Sequence, residues 1–456
     1  MEQINVEEKQ QDDFDELANE KKEFVNNEDD EVVATNVTNN RPENMLKMED
    51  LYHFKDSTWE TLGLKEDLIK GLLEMNFIKP SKIQSTAYPL VMKANHPHLI
   101  AQSHNGSGKT GAFGISVLSR VDENIPDVQA IIFAHTRELV NQIAKNLGKM
   151  AKYTKINVTA VTNDKTANEN IGQVVVITPG TFDNKFLKNR RKPIPMDKLT
   201  IMVLDEADFM ISNDLTKSIS ERAFKHFADN NIKVQILFFS ATFEENHFKE
   251  IKKSCKRANM IEVKKELLTL KNVRQMYIKC EKNEDKITMI EEYLKRNIEQ
   301  ERVIIFVNTR DFTEKLTMTL RQKGYKVFLI MGGNMDPTER DATIEKFTKG
   351  EIQILITTNI LARGFDERLV KLIINFDLPI TKDANDKFVP DYETYLHRIG
   401  RTGRFGTNGI GLSLVSGNRD MESIRKMEEF YNSKIEEISS MDDLIEEFKK
   451  LLGEKF

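Results

Sequence analysis

The fold turns on HLIAQSHNGSGKTGAF, residues 98–113. An apolar run, His98 to Gln102, enters a glycine-containing turn, and a helical pattern (GAFGISVLSRV) leaves it. That strand–loop–helix context is what a phosphate-binding loop requires. The common pattern is G-x-x-x-x-G-K-[ST]. Here Ser103 stands where the first glycine would be, followed by His104, Asn105, Gly106, Ser107, Gly108, Lys109 and Thr110. Gly106 and Gly108 let backbone N–H groups approach phosphate oxygens, and the new helix adds its positive N-terminal end. Lys109 can reach the β/γ-phosphates, and the Thr110 hydroxyl can hold Mg²⁺. The competing reading is a flexible turn ahead of a helix.

Downstream, Asp205-Glu206-Ala207-Asp208 follows the apolar run TIMVL. A carboxylate at the carboxyl end of a buried strand is where a P-loop ATPase places its Mg²⁺ partner. Asp205 would hold the metal through water, and Glu206 would orient and deprotonate the attacking water. A charged turn is the plainer reading, but the strand before it and the phosphate-loop lysine upstream favour the metal.

Working outward, short apolar β-branched runs alternate with amphipathic charged stretches on both sides of this segment. In the first half they are 98–102, 130–134, 174–178, 201–205 and 236–241; in the second, 302–307, 326–330, 354–358, 371–376 and 409–415. Runs that are apolar almost throughout suit strands covered on both faces by helices. The pattern predicts two α/β domains with mostly parallel sheets. The expected division is an extension at 1–50, a first domain at 51–263, a link at 264–272 and a second domain at 273–456.

The 456 residues are 39% hydrophobic and 30% charged, a soluble globular composition. Net charge is −5 but uneven: residues 1–50 hold 16 acidic against 5 basic side chains, so the remainder is net +6. The first fifty residues have few large apolar side chains and no clear period, and are expected to be mostly disordered. The mildly basic remainder permits a polyanion partner. Two cysteines, Cys255 and Cys280, are too few for a disulfide framework and fit a reduced compartment. No apolar run approaches the roughly 18 residues a membrane helix needs, and the acidic N-terminus is no signal peptide.

The phosphate loop together with Asp-Glu-Ala-Asp resembles the DEAD-box RNA helicases, whose loop reads A-x-x-G-x-G-K-T and tolerates a non-glycine at the position of Ser103. The resemblance implies two tandem RecA-like domains. Asn76 to Gln84 (NFIKPSKIQ) resembles the family's adenine-reading motif, with Asn76 for its usual glycine. It implies ATP contacts from Gln84, Lys79 and an upstream aromatic, Trp59, stacked on the base; core packing is the other reading of a lone tryptophan. Ala134 to Leu139 (AHTREL) and Thr178 to Thr181 (TPGT) resemble segments that line the RNA backbone groove, with Thr181 for the family's arginine. They imply RNA contacts from Thr136, Arg137, Thr178, Pro179 and Gly180. Ser240-Ala241-Thr242 resembles the segment that bonds the last aspartate, here Asp208.

In the second half, TTNILARGFD (357–366) resembles the family's A-R-G-[IL]-D motif, and HRIGRTGR (397–404) matches its last motif. The resemblance implies a ribose contact from Asp366, arginine fingers Arg401 and Arg404 on the γ-phosphate, interdomain coupling through His397, and RNA contacts from Arg340, Thr357 and Arg363. Gly332 and Pro337 depart from the family's usual histidine–glycine and glutamine.

The loop ITKDANDKFVPDYET before Tyr395 and the tail FYNSKIEEISSMDDLIEEFKKLL resemble the branch of the family that acts in nuclear mRNA export at the cytoplasmic face of the pore. The expectation is a monomeric, Mg²⁺-dependent, RNA-stimulated ATPase of cytoplasm and nucleus that clamps single-stranded RNA in mRNPs. An activator carrying inositol hexakisphosphate and a cytoplasmic-face nucleoporin are the implied partners. The alternatives are a helicase of translation or ribosome biogenesis, an RNA clamp without turnover, and a P-loop enzyme acting on a small molecule. The acidic N-terminus reads as a solvated tail or as an autoinhibitory helix.

Overall fold

The structure, a computed structural model, describes residues 32–37, 57–103, 106–162, 171–189, 194–243, 245–255, 258–263, 272–296, 302–332, 335–362, 370–382, 386–403 and 407–452. The link expected at 264–272 lies, except for Asn272, outside them, as does most of 1–50.

The first sheet is built from β1 (Val32–Val37), β2 (His98–Gln102), β3 (Ala130–Phe133), β4 (Val158–Val161), β5 (Val174–Ile177), β6 (Ile201–Asp205), β7 (Gln235–Ser240) and β8 (Ala258–Val263). Its order is β1-β8-β2-β7-β6-β3-β5-β4. All pairs are parallel except β1 against β8. β1 arises within the extension expected to be mostly disordered. The second sheet holds β9 (Val273–Cys280), β10 (Arg302–Phe306), β11 (Phe328–Ile330), β12 (Ile354–Thr357), β13 (Val370–Asn375), β16 (Gly409–Ser416) and β17 (Glu436–Ile438). It runs β11-β12-β10-β13-β16-β9-β17, all parallel. Between β13 and β16, β14 (Ile380–Lys382) and β15 (Phe388–Pro390) make a separate antiparallel ribbon. The two parallel α/β sheets are the architecture the alternating pattern predicts.

Alternation explains the double burial. In β3, Ile132 enters one apolar cluster while Ile131 and Phe133 enter the cluster on the opposite face. In β10, Val303 and Ile305 face one cluster and Ile304 and Phe306 another. Each cluster draws on one sheet alone. The segments that leave the carboxyl ends of β2, β3, β5, β6 and β7 carry the phosphate-loop, Thr136, Thr178, Glu206, Asp208 and Thr242 positions, as the crevice rule for open α/β sheets requires; Gln84, Arg340 and His397 lie on helices elsewhere.

Candidate nucleotide and nucleic-acid site

The phosphate loop leaves β2 at buried Ser103 and returns at Gly108, the N-cap of the helix Lys109–Arg120. Gly106 and Gly108 have φ of +79° and +98°, a region that L side chains rarely enter. Lys109 is buried and its Nζ donates to the Ser103 carbonyl at 2.7 Å. Ser103 thus serves through its main chain, and a side chain there is harmless. Thr110 sits half-buried in the first turn. His104 and Asn105 lie outside the described residues.

Gln84 packs against this loop. Its Oε1 accepts the Ser81 N–H at 2.9 Å, and its Nε2 donates to the Gly108 carbonyl at 3.2 Å. A Cβ on Gly111 would lie 2.3 Å from Gln84 Nε2, so the glycine makes room for the amide. The amide keeps one further N–H and further acceptor capacity for a base edge. Asn76 has φ +61°, a left-handed conformation that asparagine tolerates best among side-chain-bearing residues, which accounts for its standing in for glycine. Lys79 is exposed.

Trp59 does not stand where a stacking ring would. It is 1% exposed, packed in the core of the first sheet, and its indole N–H donates to the Phe77 carbonyl at 2.8 Å. Core packing wins, and the ring anchors the adenine-motif segment from behind.

At the end of β6, Asp205, Glu206 and Asp208 are all buried. Glu206 occupies φ +52°, ψ +51°, a strained conformation for a glutamate and one that concentrates at functional sites. The Asp205 Oδ1 accepts the Glu206 N–H at 3.1 Å. Burial, then the Glu206 charge, pushes the Asp205 carboxyl up to about 8, against the opposing pull of Lys109. A buried carboxyl held neutral by its surroundings, as Asp205 is, is of the chemistry that a divalent cation binds. The Asp208 Oδ2 accepts the Thr242 hydroxyl at 2.6 Å; Ser240 acts one step back, its Oγ accepting the Thr242 N–H at 3.2 Å.

The second sheet meets this cluster. His397 is fully buried, its Nε2 3.6 Å from Asp208 Oδ2, 3.7 Å from Glu206 Oε2 and 3.8 Å from Glu393 Oε1. Arg401 is 2% exposed and donates from Nε to the His397 carbonyl at 3.0 Å. Arg404, Asp366 and Arg363 lie outside the described residues. Arg398, to which the sequence assigns no role, proves to be a hub. Its Nε and Nη2 donate to Asn359 Oδ1 at 2.9 and 2.6 Å, Nη2 also to Asn308 Oδ1 at 2.8 Å, and Nη1 to the Asp377 carbonyl at 2.7 Å. Its plane lies over Phe306, and burial pushes its pKa down to about 10.

The residues expected to hold RNA divide. Thr136 caps the helix Arg137–Met150 by accepting the Leu139 N–H at 3.3 Å. Thr178 caps the turn beginning at Pro179, and Gly180 is exposed with open space around it. Thr181 turns inward, 4% exposed, accepting the Thr178 hydroxyl at 2.9 Å. Two expectations change. Thr357 is fully buried, its hydroxyl spent on the Thr358 carbonyl, so its side chain is closed to RNA. Arg340 is committed to Glu138 of the first sheet's domain at 2.8 Å, and Arg137 reaches Asp341 at 3.6 Å in the opposite sense. Glu138 and Asp341 went unread because a lone carboxylate carries no sign of a partner some 200 positions away.

Comparison with known proteins follows the same division. The DEAD/DEAH box helicase family matches residues 81–251, and the helicase conserved C-terminal domain matches 285–406. DEAD-box ATP-dependent RNA helicase 38 of Arabidopsis thaliana is 38% identical over 87% of this chain and 81% of that protein. The structure of S. cerevisiae Dbp5 bound to RNA and ADP BeF3 is 34% identical, covers 87% of this chain and 99% of that one, and superposes with a TM-score of 0.80. A variant of S. cerevisiae Dbp5 bound to Nup159, Gle1, IP6 and ADP is 33% identical over 86% of this chain and the whole of that one, with a TM-score of 0.60.

Proposed function

The chain belongs to the DEAD-box ATP-dependent RNA helicases, and from that premise we propose that it is an ATP-gated RNA clamp of the mRNA-export branch. The observation that carries the clamp is the seating of His397, from the second sheet's domain, on Asp208 and Glu206 of the first. It supports an ATPase site completed only when two halves meet.

We assign ATP binding to 51–263, closure to 273–456 and the link to 264–272. Gln84 and Lys79 face the adenine, and the loop 103–110 cradles the phosphates. Mg²⁺, held by Thr110 and Asp205, would neutralise charge developing on the β- and γ-oxygens. Glu206 takes the proton of the attacking water; its carboxylate is held beside the strand end by a backbone turn no relaxed glutamate would choose. Arg401 and Arg404 bring guanidinium forks to the γ-phosphate from the other domain, so hydrolysis depends on closure. Asp366 takes the ribose. Thr136, Arg137, Thr178, Gly180 and Arg363 contact the sugar–phosphate backbone without reading base sequence.

RNA across both domains is gripped on closure and released after hydrolysis. By likeness to the yeast Dbp5 assemblies with RNA and with Nup159, Gle1 and IP6, the partners are mRNPs, an inositol-hexakisphosphate-bearing activator and a pore nucleoporin. The place of action is then the cytoplasmic face of the nuclear pore, with exchange between cytoplasm and nucleus. The test is ATPase rate with and without single-stranded RNA, repeated with the activator and inositol hexakisphosphate. RNA should stimulate turnover and the activator should raise it further. Equal rates with and without RNA would overturn the clamp.

A further inference from the structure

We propose that the β14–β15 ribbon is a docking edge for an extended, acidic segment of a partner protein, which adds to β14 as a third strand.

The ribbon stands outside both parallel sheets. All three residues of β14 are exposed, and among the described residues no strand pairs with its outer edge. An isolated two-stranded ribbon is marginal in water, and an unpaired edge is a template for a further strand. The register sets what that strand would meet. Lys382 lies opposite Phe388 and Ile380 opposite Pro390, so Ile380, Lys382 and Phe388 share one face. Ile380 and Phe388 are 37% and 55% exposed, two of only seven large apolar side chains so placed among the described residues.

Two cations border the same face. Lys382 Nζ lies 5.5 Å and the Arg419 guanidinium 5.1 Å from the centre of the Phe388 ring. Lys382 has an exposed pairing with Asp386, of a kind worth little, and Arg419 makes no ion pair among the described residues. A strand laid along β14 presents alternate side chains to this face. Acidic groups would meet Lys382 and Arg419, and the apolar ones between them would meet Ile380 and Phe388. Backbone pairing supplies affinity and the alternating side chains supply selection. RNA offers no strand edge, and the loops assigned to it leave β3, β5 and β12.

The ribbon is joined to the site. Its base is closed by the Asp391 N–H on the Pro379 carbonyl at 3.0 Å. The same Asp391 caps the helix Tyr392–Ile399, which carries His397 and Arg398, by accepting the Thr394 N–H at 2.8 Å. An effect of docking on turnover rests on the role proposed above for His397 and Arg401; docking itself does not.

The test uses the full chain, a fluorescent peptide of alternating glutamate and valine, its lysine–valine counterpart, and oligouridylate. The glutamate peptide should bind, slow amide hydrogen exchange in 380–382, and lose about tenfold or more in affinity in Arg419→Glu and, independently, in Lys382→Glu. RNA-stimulated ATPase without peptide should be unchanged in both variants. Failure of the glutamate peptide to bind, equal binding by the lysine peptide, or protection elsewhere on the chain overturns the proposal. So does a loss of oligouridylate affinity in the two variants, which would make the face an RNA contact.

Discussion

Arg340 Nη1 and Glu138 Oε1 meet at 2.8 Å across the two domains, with both side chains about one-tenth exposed. A pair this sheltered is costly to break from one side, because the remaining charge stays desolvated. Glu138→Gln and Arg340→Gln should each depress RNA-stimulated ATPase, and the double variant should be less impaired than the two losses combined. The expected coupling is about 1–3 kcal/mol in the double-mutant cycle. Additive losses would mean that the contact plays no part in closure.

Glu206→Gln keeps the size of the side chain and removes the proposed base. Hydrolysis should fall by about 10²–10⁴, while ATP-dependent RNA binding persists and RNA release slows. Single-turnover hydrolysis beside an RNA dissociation rate checks both halves. Retained hydrolysis would move the base elsewhere.

Trp59 is a core residue, so its replacement should register as stability. Trp59→Ala should cost about 3–5 kcal/mol in urea unfolding. Trp59→Phe keeps the packing but orphans the Phe77 carbonyl, costing about 1–2 kcal/mol. The KM for ATP in the phenylalanine variant should stay within about twofold of wild type. A large rise in KM at preserved stability would restore the stacking role.

Asp205 sets a pH dependence. Its folded pKa, about 8, lies above the roughly 3.9 of an unfolded aspartate. Between these values the folded chain binds the extra proton. Stability of the metal-free protein should therefore decline as pH rises from about 4 to about 8. Urea midpoints in EDTA across this range should show the decline, and Asp205→Asn should flatten it. With Asp205 as the proposed ligand, Mg²⁺ must displace that proton, so its affinity should climb over the same window.

The parts of the fold legible in the sequence were those written locally. Runs such as VVVI and IMVL are apolar almost throughout, which suits strands buried on both faces. The loop 103–110 and HRIGRTGR declare themselves by glycine and charge spacing. β9, VRQMYIKC, hides because its Arg274 and Lys279 are answered from the distant tail by Glu436 and Glu437. β4, VTAV, is too short and polar to stand out. Trp59 and Thr357 were misread for one reason: spacing places a residue on an element but does not say which way its side chain turns. Arg398 is the reverse case, an arginine inside a charged motif whose acceptors are three separate strand ends.

Among the described residues the apolar clusters stop at the boundary of each sheet, and the contacts between the two domains are polar: His397 to Asp208 and Glu206, Arg340 to Glu138, Arg137 to Asp341. Among the described residues, parting the domains therefore splits none of these apolar clusters. Closure should show little change in heat capacity and a marked response to ionic strength. If the chain opens and closes as proposed, a polar seam of this kind lets it cycle without exposing a sticky, aggregation-prone surface from these clusters.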